Sequence, residues 1–461
     1  MKPGEQIKTI SGSIIQVIRE MGEGTQGKTY LARNLKSGKE GVLKLFKKKF
    51  DQNNLKKRTE FFIKKNFNKI CPSFCAPEDF AMVSSQLVHF APLAKGIPWS
   101  DFFVTPPDNL SFINNLLIGI ALAHANHILD QADIAHGDLQ GGNLYIGGKG
   151  NVYELFMIDF DNFSTPSMPP PDCIGVDLYM APELYKAHKI KQKAIPDRYS
   201  DRYTLGVFMH ELFLFKHPAC GVQDGKFEEA MYTGKWIHDP LLNYFFQEEP
   251  GGFPADILHT ELQQLFRRVF KLDPKERPSP LEWEDVLCSM LPKIFICEYC
   301  QTPCMIDSSK NACPVCKRIY PVFKLVTASQ SILLNRGYLD LGRKQMLCPK
   351  TVSIHHADFY HEGPETWMCP RGSNPTQRLT SRGWVTIHNG QKILLKAGDK
   401  IKFADFHVNI VKADESEFDS LLAEEKAFNI IFPHPSTMTP NATIKNYSKR
   451  NIQNDNKLPH L

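Results

Sequence analysis

Residues 136–143, with the sequence HGDLQGGN, are the stretch that decides the fold of this chain. Asp138 and Asn143 lie five positions apart in it, after an apolar-faced segment at 110–129 that predicts a helix and before the strand-like run 144–146. On a loop between a helix and a strand, the Asp138 carboxylate can accept or orient a hydroxyl proton, and the Asn143 amide can hold a Mg²⁺ ion. The histidine that opens the stretch is interpreted as a packed, hydrogen-bonded structural residue.

A second acidic group follows 16 residues after Asn143. Residues 155–158 read as an apolar strand, and Asp159 ends it. A lone Asp at a strand end is usually a turn former. In this order and at this spacing, Asp159 is predicted to bind the Mg²⁺ ion that bridges nucleotide phosphates.

Lys44 interrupts an apolar strand near the N-terminus, where a surface lysine would be out of pattern. It is suited to hold the α- and β-phosphates of a nucleotide, and the alternative is an edge-strand lysine. Glu60 is the only acidic residue inside the next predicted helix, so we expect it to pair with Lys44 and fix its position. The alternative for Glu60 is a surface salt bridge with Lys56 or Lys64, four positions away on either side.

Together these segments resemble the eukaryotic-type serine/threonine protein kinase family, over about residues 12–292. Three more stretches carry the resemblance: 175–183 (GVDLYMAPE), 200–206 (SDRYTLG) and 272–278 (LDPKERP). The resemblance implies an α+β fold of two lobes, with ATP bound in the cleft between them and a hinge near residues 90–93. The N-lobe, at about 12–93, would have five strands and one helix, and the C-lobe, at about 94–292, would be helical.

The resemblance also assigns structural roles. Asp201 is expected to support the catalytic loop from a buried helix, and Arg277 is expected to form an ion pair with Glu183.

Residues 22–29, GEGTQGKT, fit two phosphate-binding patterns at once. Gly22, Gly24 and Gly27 match the glycine-rich loop of kinases, while the whole run also matches the P-loop of NTPases, and a plain glycine turn is the third possibility. A P-loop has to open a helix, because the helix N-terminus supplies the amides that hold phosphate. Since residues 29–38 read as a strand and a turn, we predict a hairpin lid over the phosphates of ATP.

Several positions depart from the family pattern. Gly137 replaces the arginine that reads activation-loop phosphate, so activity is expected not to depend on such a phosphate. Gln140 replaces a lysine, and Val176 replaces a threonine that supports the catalytic aspartate. Asp161 replaces the glycine of the metal-binding motif, where a carboxylate either joins the metal site or stiffens the loop. The minimal catalytic groups remain.

Two C-x2-C pairs follow the kinase-like region, within residues 293–321. Two such pairs supply four thiolates for a tetrahedral Zn²⁺ ion, so a small zinc ribbon is predicted, with a structural role. Cys304 is a spare thiol that is able to substitute for a ligand. The predicted ligands are Cys297, Cys300, Cys313 and Cys316.

Residues 322–412 read as many short strands separated by Gly, Pro and Asn turns, which predicts an all-β sandwich. Four stretches resemble a forkhead-associated domain: 338–343, 352–357, 388–390 and 395–403. That family reads phosphothreonine, and Arg343 and Ser353 match its phosphate-binding positions.

The resemblance to the forkhead-associated family is degenerate. Ile354 replaces an arginine, and the expected Ser-x-Asn-Gly-Thr is degraded around residues 382–386. The alternative is therefore a packing module that has lost its ligand. Residues 413–461 predict a short acidic helix followed by a disordered tail rich in Asn, Pro, Ser and Thr.

The composition agrees with a globular protein of two or three domains: 461 residues, 42% hydrophobic, 23% charged and a net charge of +5. No apolar N-terminal segment resembles a secretory signal, and the longest apolar run, 116–122, is far short of a membrane span. Five of the 12 cysteines fall between Cys297 and Cys316, which favours metal ligation in a reducing compartment. We expect a soluble, cytoplasmic and bacterial protein without membrane or nucleic-acid partners.

Two functions remain open at this point. The favoured one is a protein kinase that transfers the γ-phosphoryl group of ATP to Ser/Thr hydroxyls of protein substrates, with Mg²⁺ as catalytic ion, Zn²⁺ as structural ion and phosphothreonine-containing proteins as further partners. The alternative is a pseudokinase scaffold that binds nucleotide and phosphorylated partners without catalysis. Lys44, Asp138, Asn143 and Asp159 together favour the kinase.

Overall fold

A computed structural model describes most of the chain in two compact units. Among the described residues, the first consists of residues within 1–255 and 261–291, and the second of residues within 256–260 and 292–414. The described residues are 1–104, 111–149, 152–170, 177–218, 253–297, 299–307, 310–334 and 338–414. Val176 and the helix and tail predicted beyond residue 414 lie outside them.

The first unit opens with a six-stranded antiparallel sheet in the order β1-β2-β3-β4-β6-β5. The resemblance predicted five strands from about residue 12, and β1 adds a sixth because Ile7 pairs with Ile15 and is buried in the same core. Three residues are too few to show an alternating pattern in the sequence. The strands are β1 (Gln6–Lys8), β2 (Ile14–Glu23), β3 (Gly27–Asn34), β4 (Glu40–Phe46), β5 (Asp79–Val83) and β6 (Gln86–Pro92).

One helix packs on this sheet, α1 (Gln52–Lys65). The Asp51 carboxylate caps its N-terminus by accepting two backbone N–H bonds, and Asn66 ends it in a left-handed conformation. Leu55 packs with Phe46 and other buried apolar residues of the sheet. Helix α1 therefore covers the face of the sheet that carries Phe46. Lys44, two residues before Phe46 on β4, is on the same face.

The helical part of the first unit is built around α4 (Phe112–Gln131), close to the predicted 110–129. By length and composition alone, it is the one helix in the described residues that could cross a membrane. However, 67% of its most apolar window is buried inside the protein, and Gly119 lies against Leu212 and Leu287 of neighbouring helices. The other helices of the unit are α2 (Phe67–Ile70), α3 (Trp99–Val104), α5 (Pro182–Lys189), α6 (Arg198–Leu214), α7 (Thr260–Val269) and α8 (Pro280–Met290).

A three-stranded sheet, β7-β8-β9, positions the loops at the cleft. Its strands are β7 (Ile97–Pro98), β8 (Leu144–Lys149) and β9 (Val152–Met157). The HGDLQGGN stretch joins α4 to β8, and Asp159 follows β9 by two residues. Because β8 and β9 pair antiparallel with Leu144 opposite Met157, Asn143 and Asp159 lie at the same end of the hairpin.

The second unit contains a small β-hairpin and two larger antiparallel sheets that share one apolar core. One larger sheet has six strands in the order β13-β12-β21-β20-β17-β18, and the other has four in the order β14-β15-β16-β19. Phe403 and Ile410 from the first and Phe359 and Met368 from the second meet in the core.

The small hairpin is formed by β10 (Ile294–Ile296) and β11 (Pro303–Met305). The strands of the larger sheets are β12 (Phe323–Val326), β13 (Ser331–Leu333), β14 (Tyr338–Leu341), β15 (Ala357–Glu362), β16 (Glu365–Pro370), β17 (Thr376–Thr380), β18 (Gly383–Ile387), β19 (Ile393–Leu394), β20 (Lys400–Phe403) and β21 (Phe406–Lys412).

Candidate active site

The loop after α4 is held from beneath by Asp201 of α6, as the sequence resemblance predicted. The Asp201 carboxylate accepts the backbone N–H of His136 at 2.5 Å. Burial raises the pKa of Asp201 to about 7, and the backbone N–H groups of His136 and Gly137 oppose that rise. His136 itself is fully buried and bonded to the Ile158 carbonyl at 3.0 Å, so it is the structural histidine that the sequence indicated.

Asp138 lies at the top of this loop between two amide donors. Gln140 Nε2 donates to Oδ1 at 3.2 Å, and Asn162 Nδ2 donates to Oδ2 at 3.3 Å. Asn143 Nδ2 closes the loop by donating to the Asp138 backbone carbonyl at 2.7 Å. Burial, helped by the nearby charge of Asp159, raises the pKa of Asp138 to about 6. A carboxylate with that pKa is suited to take up a proton near neutral pH.

Asp159 has a left-handed backbone, with φ 61° and ψ 58°. The next side chain, Phe160, is buried against Phe62 of α1 and against His136, with ring centroids 5.1 and 4.9 Å apart. This anchor turns the Asp159 carboxylate toward Lys44, whose Nζ is 2.7 Å away.

Lys44 lies on β4 with 12% of its side chain accessible, and it donates to two carboxylates. Its Nζ is 2.7 Å from Asp159 and 2.5 Å from Asp161, and it also contacts Gln26 Oε1 at 3.2 Å. Burial disfavours the charge of Lys44, but the two carboxylates outweigh burial and raise its pKa.

One cation cannot neutralise both of these carboxylates. For Asp159, burial alone would raise the pKa, but the charge of Lys44 lowers it to about 2. For Asp161, which is more deeply buried, burial raises the pKa to about 7 in spite of Lys44. The site therefore holds one firmly ionised carboxylate and one that takes up a proton more readily.

Glu60 does not contact Lys44, and the predicted Lys44–Glu60 ion pair was wrong. Glu60 lies on the exposed face of α1, with 48% of its side chain accessible, and its carboxylate is 3.8 Å from Lys56. The surface alternative was the correct one. The helical face toward the cleft carries Arg58 and, one turn later, Phe62, both about 2% exposed. A count of acidic residues could not reveal this, because the rotation of the helix is set by its apolar packing.

Arg58 binds the segment that follows Asp159. Its guanidinium donates to the backbone carbonyls of Asp161 at 2.9 Å and of Pro169 at 3.0 Å, and also to that of Phe163. Its planar group also stacks 4.1 Å from the Phe163 ring centroid. These contacts tie α1 to residues 161–169, the start of the activation segment, and no sequence motif indicated them.

The glycine-rich stretch forms a hairpin, as predicted, because β2 ends at Glu23 and β3 begins at Gly27. The P-loop alternative is excluded since β3, and not a helix, follows it. A Cβ on Gly27 would lie 2.3 Å from the Leu45 carbonyl oxygen, whereas Gly22 and Gly24 are open. Gln26 projects from the hairpin and joins Lys44 to Asn162, to which its Nε2 donates at 2.8 Å.

Gln26 and Asn162 are therefore site residues that the sequence reasoning missed. Through them, a continuous hydrogen-bonded chain runs from Lys44 by way of Gln26 and Asn162 to Asp138. Only their positions could have indicated them: Gln26 lies between Gly24 and Gly27, and Asn162 directly follows residues 159–161, which we call the DFD stretch.

The ion pair predicted between Arg277 and Glu183 is present in the helical lobe. Arg277 donates to both carboxylate oxygens of Glu183 at 2.7 Å and to the Tyr199 carbonyl at 2.9 Å. Its side chain has no accessible surface. This pair holds the end of the activation segment to the rest of the lobe.

Comparison with known proteins agrees with this geometry. A family model described as the protein kinase domain matches residues 15–290. The chain belongs to the protein kinase family. Its kinase domain is similar to the serine/threonine-protein kinase Nek5 of Homo sapiens, at 22% identity over 57% of this chain and 34% of that protein. It is also similar to the serine/threonine-protein kinase TIO of Arabidopsis thaliana, at 28% identity over 44% of this chain and 15% of that protein.

These relatives are much longer than the matched region. The chain spans about a third of human Nek5 and less of TIO, so the likeness concerns the kinase domain. The family implies ATP and Mg²⁺ as ligands. The donor set fits a hard cation, since the Asp159 carboxylate and the Asn143 amide oxygen are the ligand types that Mg²⁺ prefers.

The four predicted zinc ligands lie together in the second unit, with all sulfurs within 4.8 Å of one another. Sγ of Cys297 is 3.9 Å from that of Cys316, and Sγ of Cys300 is 3.6 Å from that of Cys313. Sulfurs bound to one tetrahedral Zn²⁺ at about 2.3 Å would be about 3.8 Å apart. The cluster therefore fits zinc, whereas Cys304 faces the Tyr320 hydroxyl at 3.8 Å.

Arg343 and Ser353 are neighbours at the loops of the larger sheets. The Arg343 backbone N–H donates to the Ser353 carbonyl at 3.0 Å, and the Arg343 side chain is exposed. Ser353 Oγ lies 3.4 Å from Ser373 Oγ and accepts the Asn374 backbone N–H at 3.4 Å. Ser373 and Asn374 were not predicted to lie beside Ser353, whereas residues 382–386, where the degraded motif was placed, fall in and around β18.

Proposed function

We propose that this chain is an ATP-dependent protein kinase that phosphorylates serine or threonine hydroxyls of proteins. One observation carries the proposal: Lys44, Asp138 and Asp159 belong to a single, partly buried hydrogen-bonded site, with Asn143 closing the Asp138 loop. These four groups are the minimal set for phosphoryl transfer. The choice of Ser/Thr is supported by the names of the relatives.

Each residue has a distinct task in this reaction. Asp138, aligned by Gln140 and Asn162, accepts the proton of the attacking hydroxyl. Lys44 neutralises the phosphates that ATP brings next to it. Asp159 and Asn143 would hold Mg²⁺, which supplies charge neutralisation on the phosphates when it is bound.

Intact mass spectrometry after incubation with Mg-ATP tests the proposal. We expect added phosphate on the chain or on a generic Ser/Thr substrate, and none from Asp159→Ala. If the wild-type chain binds ATP but transfers nothing to itself or to the substrate, the pseudokinase alternative replaces the kinase.

We also propose that activity does not depend on an activation-loop phosphate. Gly137, at the position of the phosphate-reading arginine, has φ +74°, and a Cβ there would lie 2.5 Å from the Asn162 carbonyl oxygen. A side chain is therefore disfavoured at 137, while Arg58 ties the segment through its backbone carbonyls. Phosphatase-treated protein should keep its initial rate, and a large fall in that rate after dephosphorylation would refute this part.

For the second unit, we propose a structural Zn²⁺ ion on the four clustered cysteines. The sulfur distances support it, as does the Tyr320 ring beside Cys297 and Cys313 in a small buried cluster. Metal analysis should find about one zinc per chain.

A second binding function is favoured by the Arg343 loop. We propose that this forkhead-associated-like region binds phosphothreonine peptides, because the exposed Arg343 is bonded through its backbone to Ser353, whose hydroxyl contacts Ser373 and Asn374. A phosphothreonine peptide library should yield binders that Arg343→Ala abolishes. The exposed Lys344→Ala should keep them, and a library without binders would support the packing alternative.

A further inference from the structure

The partner of Lys44 is unusual in this kinase domain. Within the described helix α1, Glu60 is the only acidic residue and it faces solvent. The position one turn before Phe62, on the face toward the cleft, is a cation, Arg58. Helix α1 therefore offers no carboxylate to Lys44.

Asp161 supplies the missing carboxylate from another element. Its Oδ2 lies 2.5 Å from Lys44 Nζ, and only 6% of its side chain is accessible. On the other side, Oδ1 lies 3.7 Å from Nδ1 of the buried His89, which stands opposite Lys44 on β6. The carboxylate thus fills a pocket between β4, β6 and the residues after β9.

The backbone of Asp161 is held by the helix that lacks the carboxylate. Arg58 Nε donates to the Asp161 carbonyl at 2.9 Å, in the buried interior. Helix α1 thus contributes a cation, Arg58, that binds the backbone of Asp161, and Asp161 contributes the carboxyl group that accepts a hydrogen bond from Lys44.

We propose that Asp161 is the positioning residue that holds Lys44 for ATP, in place of a carboxylate on helix α1. The inference rests on the proposed kinase function and deepens it. The position of the Lys44 ammonium group is then set by Asp161, in the segment after Asp159, and not by the rotation of helix α1. Asp159 would then serve with Asn143 to hold Mg²⁺, and Asp161 keeps Lys44 in place.

A different role for Asp161, as an additional Mg²⁺ ligand, makes different predictions. A positioning residue acts through Lys44 and acts without metal. A metal ligand acts only when Mg²⁺ is present and acts whether or not Lys44 is there. A purely structural residue changes the stability of the fold and the environment of all lysines together.

The first measurement uses the full-length chain without metal or nucleotide. Competitive acetylation read by mass spectrometry reports the reactivity of Lys44, with the exposed Lys57 as internal reference. We expect Asp161→Asn to raise Lys44 labelling relative to Lys57 by about tenfold, since one charge-assisted contact is lost. Glu60→Gln, the matched control on the exposed face, should leave the ratio within about twofold.

The second measurement is a double-mutant cycle on ATP affinity, with Mg²⁺ present. Asp161→Asn should weaken ATP binding by about tenfold in the wild-type background. In the Lys44→Met background it should change the affinity by less than about twofold, because its effect passes through Lys44. Asp161→Gly serves as the second variant if the asparagine lowers the melting temperature.

The proposal is overturned by unchanged Lys44 labelling, or by an equal loss of ATP affinity with and without Lys44 that higher Mg²⁺ restores. It is also overturned if both variants raise the labelling of Lys44 and Lys57 together. Failure of the kinase function would look different: the wild-type chain would bind ATP without transfer, and the labelling ratio would still decide the role of Asp161.

Discussion

At the scale of single residues, we expect Asp138 to set the pH dependence of the proposed reaction. Its pKa is raised, mainly by burial, from 3.8 to about 6. The ionised form accepts the hydroxyl proton, so the active fraction is present above this pKa and falls as the pH drops through it.

We therefore expect kcat/KM to fall about tenfold per pH unit below pH 6 and to be level above pH 7. The measurement is a series of initial rates between pH 5 and pH 8, with circular dichroism at each pH to show that the fold persists. Asp138→Asn should lower the rate by about 10² to 10⁴ and remove this inflection. An inflection that survives in Asp138→Asn would assign the pH dependence to another group.

The buried Arg277 provides a second test at this scale. Its charge is compensated by Glu183, which is partly accessible, and by the Tyr199 carbonyl. Arg277→Ala leaves these acceptors without their donor, so we expect a loss of about 3 to 5 kcal/mol in the free energy of unfolding.

Urea denaturation measures that loss. The matched control is Arg33→Ala, which removes an exposed ion pair of the same 2.7 Å length to Glu40 and should cost less than about 1 kcal/mol. Equal losses in the two variants would show that the Arg277 pair adds nothing beyond a surface contact.

At the scale of elements, helix α1 and the start of the activation segment act as one piece. Arg58 holds backbone carbonyls from Asp161 to Pro169, and Phe61 stacks on Phe163 with ring centroids 5.2 Å apart. A lysine could not replace this group, because a single ammonium cannot match a planar guanidinium that bonds several carbonyls at once.

Arg58→Lys should therefore increase hydrogen–deuterium exchange over residues 161–170 and lower the rate of phosphoryl transfer by about tenfold or more. Lys57→Ala, the exposed neighbour on the same helix, should change neither quantity. Unaltered exchange over 161–170 in Arg58→Lys would mean that the aromatic stacking alone holds the segment.

At the scale of the whole molecule, each compact unit has its own core and its own candidate ligand site. Apolar clusters on both faces of the N-terminal sheet belong to the first unit, and one cluster joins the two larger sheets of the second. The thiolate cluster lies in the second unit and the catalytic residues in the first.

Removal of zinc with a zinc-selective chelator should thus lower the melting temperature of the second unit. Mg-ATP at 100 times its Kd should still stabilise the first by about 2.7 kcal/mol. Differential scanning calorimetry follows both effects.

The variant Cys313→Ser should lower the melting temperature of the second unit as the chelator does, whereas Cys304→Ser should keep the zinc content. Loss of zinc from Cys304→Ser would place that thiol in the metal site.

The sequence by itself determined the parts whose neighbours are close along the chain or whose pattern is fixed. The Asp138–Asn143 loop closes on itself, the lid glycines lie in one hairpin, and two C-x2-C pairs bring four sulfurs together. Such features follow from spacing, because a few backbone dihedrals decide which groups meet.

Only the tertiary structure decided which carboxylate serves Lys44. The choice between Glu60 and Asp161 depended on the rotation of α1, which the packing of Leu55 and Phe62 into two apolar clusters sets. That packing turns Arg58 inward and Glu60 outward, and it brings the DFD stretch, 117 residues from Lys44, within hydrogen-bonding distance of it. No local pattern encodes a contact of this kind, since it arises from the summed burial of residues that lie far apart in the chain.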